Sequence, residues 1–266
     1  MTNRITSVGW FIVAAVFALC WYPLKYLKGM QIGSPQLLFY AFASASLCTI
    51  PWLAYQVKQW RNQTESLLVF GISGSVMLTF LNFSIVTGEP LDSISIFTFV
   101  ISSILLLKRV HSEHPIVFAE FMVLLAIAIA SLLVFFGLRT TPIGWHWSQF
   151  TAVIAGLACY LFYVKHAQSS GIPLGPKLAA VFICSTWLVG MVIIFSPRFV
   201  SFPYENAILI SIFYGVVGLI PILLALLKIF SVPQEKSLLI WIVLVLVVAV
   251  ISVEYFEVTA IDFLFR

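Results

Sequence analysis

The stretch that decides the fold is GISGSVMLTFLNFSIVTGEPLDSISIFTFVISSILLLKRV at Gly71–Val110, which returns in outline as GVVGLIPILLALLKIFSVPQEKSLLIWIVLVLVVAVISVEYFE at Gly215–Glu257. Each copy begins with two glycines three residues apart, runs apolar, breaks at a proline flanked by charged residues, and runs apolar again. An offset of 144 residues lays Gly71 on Gly215, Gly74 on Gly218 and Glu113 on Glu257. Pro90 then falls one residue from the partner of Pro233. The shared hydropathy profile is the main evidence for an internal repeat of two helix hairpins.

The rest of the chain has the same character. Of 266 residues 62% are hydrophobic and 9% charged, and the mean hydropathy is +1.09. A water-soluble domain cannot hide that much apolar surface, so the composition specifies an all-α polytopic membrane protein. The net charge of +4 is therefore read loop by loop and gives no indication of nucleic acid. Cys20, Cys48, Cys159 and Cys184 lie in apolar runs without CxxC or histidine spacing, which points to packing and to no metal or redox cofactor. The first apolar run is long enough to span and lacks a small-residue cleavage site, so no cleaved signal peptide is expected.

About 20 apolar residues cross the hydrocarbon core. Nine segments meet that requirement: Val8–Leu27, Gln36–Tyr55, Leu67–Val86, Ser93–Leu107, Pro115–Phe136, Ser148–Val164, Leu178–Phe195, Ala207–Phe230 and Leu238–Val253. The tail Glu254–Arg266 is short and acidic and is expected at the interface. With a cytoplasmic N-terminus the inner loops hold Arg4, Lys58, Arg61, Lys108, Arg109, Lys165, Lys177, Lys228 and Lys236, nine of the fourteen basic residues. The positive-inside rule thus places the N-terminus inside and, after nine spans, the C-terminus outside. A repeat of five spans is odd, so its copies enter the membrane from opposite sides. Such an inverted repeat puts a substrate site near the midplane between the halves, here 1–140 and 144–266.

The hairpin at 215–257, with Pro221 inside it and a Glu closing its last helix, and the segment WYPLKYLK at 21–28 carry a resemblance to a known family. Over nearly its whole length the chain resembles the EamA-type permeases of the drug/metabolite transporter superfamily, most closely the RarD-like branch. The resemblance implies ten helices in a 5+5 inverted repeat, a cavity lined by spans 1, 3, 4, 6, 8 and 9, and movement of small metabolites or drugs. This sequence departs from that pattern in several places. The second span offers Tyr40-Ala41 where the family often carries an Arg, the fourth span lacks the usual Pro, and the acid that commonly ends it is displaced to Glu113. The expected bundle is therefore 5+4(5), with no tenth helix, and a homodimer or partner subunit would cover the side left open.

Polar groups inside a membrane are costly and face cavities or partners. Candidates for a substrate cavity are Trp21, Tyr22, Lys25, Asn82, Ser95, Thr98, Tyr163 and Tyr214. Lys25 could attract an anionic solute or snorkel to the interface. Asn82 could bond a solute or join two helices. Ser95 and Thr98 belong to a hydroxyl stripe with Asp92, Ser93, Ser102 and Ser103 that could line a cavity or pack. The aromatic residues, among them Tyr160, Trp187 and Phe213, could stack on a cationic ligand or simply face lipid. Glu120 is the embedded carboxylate able to carry a coupling proton, or else pairs with inner basic residues. Gly71, Gly74, Gly215, Gly218 and Pro221 read as helix breaks and close approaches rather than ligand contacts.

No Ser/His, paired-Asp, HExxH or Walker arrangement is present, so catalysis and ATP use are not expected. The sequence thus leads to a non-enzymatic permease of the inner cytoplasmic membrane, in contact with lipid and a small-molecule solute, without cofactors, and working as an exporter. The alternative is a non-transporting membrane subunit or a lipid-carrier flippase component.

Overall fold

The computed structural model describes residues 34–87, 147–169, 171–195 and 205–231, with further helical residues between 99 and 107 and between 122 and 129. All regular structure among them is helical, and no strand occurs among the described residues. Four helices are long and apolar enough to cross a membrane. Large apolar side chains are exposed on them, including Leu47, Leu68, Trp187, Ile194 and Phe195. In water that surface would be an extended apolar patch, whereas hydrocarbon solvates it. The protein is a helical integral membrane protein.

Helix α1 spans Ser34–Tyr55 and α2 spans Thr64–Thr87, joined through short helical turns at Val57–Trp60 and Arg61–Gln63. Helix α3 spans Trp147–Gln168 and α4 spans Leu174–Phe195. The last element, residues 205–231, is continuous: α5 at Glu205–Phe213, a π-helical segment at Tyr214–Leu219, and α6 at Ile220–Ser231. The four candidate membrane helices fall on the second, third, seventh and eighth spans expected from hydropathy, and α3, which is not among the four, covers the sixth. The first and ninth spans lie outside the described residues, and the fourth and fifth are described only in part.

Local chemistry sets the ends. Pro35 and Pro176 stand in first turns, where a missing N–H costs no helical bond. After α1 the Trp60 indole donates to the Leu53 carbonyl at 2.9 Å, pinning the connection back on the helix it leaves. After α3 the Ser169 hydroxyl caps the carbonyls of Lys165 and His166 at 2.8 and 3.2 Å, and the Ile172 N–H closes the turn on Ser169 at 3.0 Å.

The two connections meet. An added Cβ at Gly171 would lie 3.1 Å from Gln63 Nε2, and one at Gly175 would lie 2.9 Å from Trp52 Cβ. The α1–α2 and α3–α4 hairpins therefore pack with their turns at the same end. Lys58, Arg61 and Lys165, expected on one side of the membrane, lie at or beside those turns. Helix α2 packs on α3 and α4, α1 packs on α4 and the α5–π segment, and α6 reaches α3 and α4. The core between them is built from Phe42, Phe70, Met77, Phe162, Phe182 and Leu223, with Ile104 also buried in it.

Candidate functional site

Glycines decide how closely these helices approach. A Cβ at Gly71 would stand 3.0 Å from the Ala180 carbonyl oxygen, and one at Gly74 would stand 2.6 Å from Val181 Cγ2 and 2.7 Å from Phe162 Cε2. Gly215 is more tightly held: its added Cβ would land on the Ala41 carbonyl oxygen and Ser44 Oγ, with the Ala41 carbonyl carbon at 2.8 Å. Gly218 is buried on the same element. At Gly71, Gly74 and Gly215 a side chain would press on the neighbouring helix.

The π segment arises where that contact is tightest. YGVVGL carries both glycines, and Pro221 follows with no N–H for the Val217 carbonyl four residues back. A π turn accommodates such a break without ending the helix. The buried positions Ala207, Ser211, Tyr214 and Gly218 step by four and three; Leu219, Leu223, Leu226 and Phe230 repeat those steps one residue later. Ser44 Oγ donates toward the Ile212 carbonyl at 3.3 Å and toward its own Ala41 carbonyl at 2.8 Å, adding a polar tie where α1 crosses.

Beside this crossing, two of the sequence candidates meet. The Tyr214 hydroxyl donates to Asn82 Oδ1 at 2.6 Å, and Asn82 Nδ2 donates to the Leu78 carbonyl at 2.8 Å. Asn82 is 1% exposed and Tyr214 2%. The bond links residues 132 apart, one on each half of the chain. At 1.5 Å rise Asn82 sits about 27 Å along α2 from Thr64, at the far end from the joined turns. Asn82 is therefore engaged as a helix-to-helix joint. Combining Asn82→Leu with Tyr214→Phe should give a coupling energy of about 1 kcal/mol by unfolding in mixed micelles, since either single change removes one side of a buried hydrogen bond. Additive effects would remove the joint.

The other candidates divide. Tyr163 is half-buried and meets Phe230 edge-on, ring centroids 5.2 Å apart, in a chain with Phe162 and Phe70. Tyr160, Trp187 and Phe213 are exposed, Trp187 at 71%. In the fourth span, Ser102 is buried and donates to the Phe99 carbonyl at 3.0 Å. Trp21, Tyr22, Lys25, Ser95, Thr98 and Glu120 lie outside the described residues.

Two polar features were missed by reading the sequence. At the centre of the α1–α4 contact the Ser46 and Thr186 hydroxyls bond at 2.9 Å, and close by in sequence Ser185 Oγ is buried with no hydrogen-bond partner among the described residues. Thr79 Oγ1 on α2 is in the same state. The second is Lys177, read as an inner-loop cation but found in the first turn of α4 and only 2% exposed. The reason is that α4 begins at Leu174, four residues before its apolar run, and folds Lys177 inward over α2 and α3. Its neighbour is His166 of α3, itself 7% exposed. Compared with models of known families, with curated proteins and with solved structures, the chain matches none.

Proposed function

We propose that the protein is a secondary transporter of the EamA type, built as an inverted repeat, which moves a small organic solute across the cytoplasmic membrane by alternating access and works as an exporter. The observation that carries this reading is a pair of contacts that exchange when the halves are exchanged. Gly71 of α2 lies against Ala180 of α4, and Gly215 lies against Ala41 of α1. Gly71 and Gly215 stand 144 residues apart and Ala41 and Ala180 stand 139 apart, so the two contacts correspond when the second half is read with five more residues between those helices. Swapping the halves turns the first contact into the second.

The α1–α4 contact supports the same symmetry. Ser46 and Thr186 are offset by 140 residues and bond to each other. At the offset of 139 Ser46 falls on Ser185, so it bonds the neighbour of its mate, and near-mates meet in this way beside an axis that exchanges two copies. Along this contact Phe39 lies by Gly190, Ser46 by Thr186 and Trp52 by Gly175, so the helices run antiparallel, as copies of opposite topology must. Inverted repeats in transporters use such an axis in the membrane plane and interrupt helices beside it, a role that suits the π segment. The basic residues at or beside the joined turns favour that end as cytoplasmic.

A thermal-shift screen of the detergent-purified protein tests the reading, using amino acids, nucleosides, quaternary amines, sugars and lipid-carrier analogues. A true solute at 100 times its Kd should stabilise the folded state by about 2.7 kcal/mol, visible as a dose-dependent rise in Tm for one soluble class. A response confined to the lipid-carrier analogues, or to nothing, would overturn it in favour of a flippase component or a non-transporting subunit.

A further inference from the structure

We infer that Lys177 and His166 form a proton-binding site, one proton being shared between the lysine amine and the imidazole at the cytoplasmic end of the helix bundle. On the transporter reading, on which this role rests, it is the coupling site for the solute.

The geometry is compact. Lys177 Nζ stands 3.3 Å from His166 Nδ1 and 3.5 Å from the His166 carbonyl oxygen. The Phe70 ring lies beneath Nζ at 5.3 Å, and the imidazole is flanked by Phe70 at 6.0 Å and Phe230 at 6.3 Å. The bonds of Ser169 to Lys165 and His166 and of Ile172 to Ser169 hold the connection between the two helices that carry the pair. Both residues are Brønsted bases, and at this N···N distance either nitrogen can be the donor. Taking up one proton forms an N–H···N bond at which no other bond changes. A second proton would set two cations against each other in a site that water barely screens.

Among the described residues the pair meets aromatic rings and a carbonyl. From α2 the facing group is Phe70; the acid of that helix, Glu65, is exposed in its first turn. From α3 it is His166, while Lys165 donates to Gln168 at 2.9 Å. From α6 it is Phe230; the side chain of Lys228 lies outside the described residues. Helix α1 carries no ionisable side chain except Tyr40, Cys48 and Tyr55, and α4 none besides Lys177 and Cys184. No ion pair to a carboxylate occurs at Lys177 among the described residues. The ammonium form therefore has a ring nitrogen, a carbonyl and a π face for partners, a set that stabilises a proton without fixing it permanently.

The test needs neither solute nor transport. Full-length protein labelled with 13C at histidine Cε1 is titrated by NMR in detergent micelles between about pH 5 and pH 9, the range in which histidine changes charge. The His166 resonance is assigned by its loss in His166→Gln, against His111, His114 and His146. Replacing Lys177 by Met should move the His166 midpoint by about one pH unit or more, the signature of two sites sharing a proton. Lys177→Arg, which keeps the size and a fixed charge, should move it as well and serves if the Met variant does not fold. An identical His166 midpoint in wild type and variant, or no titration in either, would overturn the proposal. A shifted midpoint with a silent ligand screen would leave the proton site standing without the transporter, and the converse would leave the transporter without this site.

Discussion

Replacing Gly215 with valine should abolish the folded protein, or leave it about 3 kcal/mol or more less stable, measured by unfolding in mixed micelles and by the monodisperse fraction on gel filtration. The cause is what stands in the way. An added Cβ meets the Ala41 carbonyl and Ser44 Oγ, and a backbone carbonyl cannot rotate aside as a side chain can. Relief requires α1 and the π segment to separate. Separation would also break the Ser44 to Ile212 bond and strain the neighbouring Tyr214 to Asn82 bond. Between membrane helices close packing is the main attraction, since lipid is as apolar as the helix faces, so loss of contact along the crossing is not recovered elsewhere. Wild-type stability of Gly215→Val would mean that α1 and the π segment are not in this contact.

Gly74→Val should cost less, about 2 kcal/mol, through a different route. The added atoms meet Val181 Cγ2 at 2.6 Å and Phe162 Cε2 at 2.7 Å, both side-chain atoms. The Phe162 ring is not free to turn, because it is fully buried and stacks on Phe70 at 4.6 Å and against Phe230 at 6.1 Å. The strain therefore passes into the aromatic chain that carries α6. Gly190 is the control within the same experiment. Its added Cβ would find Phe39 at 3.4 Å, ordinary contact distance, and alanine is the better helix former by up to about 1 kcal/mol. Gly190→Ala should be neutral or stabilising, and an equal loss at positions 74 and 190 would show that glycine position does not control packing here.

Much of this fold was legible in the sequence. Span boundaries followed from runs of apolar residues flanked by Lys58, Arg61 and Lys165, because the energy that sets them is local: each residue partitions between water and hydrocarbon largely by itself. The glycine pairs and Pro221 likewise marked close approach and a broken helix. Partnerships were not legible. Nothing near Asn82 in the chain points to Tyr214, since their bond depends on which helices become neighbours and at what height. Lys177 was misread for a related reason. A lysine before an apolar run reads as a flank facing water, and only the inward turn of α4 against α3 buries it beside His166. The π segment was visible as a disturbance, but its type depends on the crossing with α1. Six of the candidate residues, from Trp21 to Glu120, fall outside the described part of the chain.

The π segment can also be read as arithmetic. A π turn closes its hydrogen bonds one residue later than an α turn, so the element from Glu205 to Ser231 behaves as an α-helix with one residue inserted. One residue is about 100° of rotation. The insertion is thus a phase correction: the buried stripe that resumes one residue late at Leu219, Leu223, Leu226 and Phe230 stays on the face begun by Ala207, Ser211, Tyr214 and Gly218. Winding YGVVGL as plain α-helix with no residue removed would turn Leu223, Leu226 and Phe230 by about 100° from the core they now fill, whereas excising one residue would mend the helix and leave them in place, so the irregular backbone is what keeps the side-chain pattern in register.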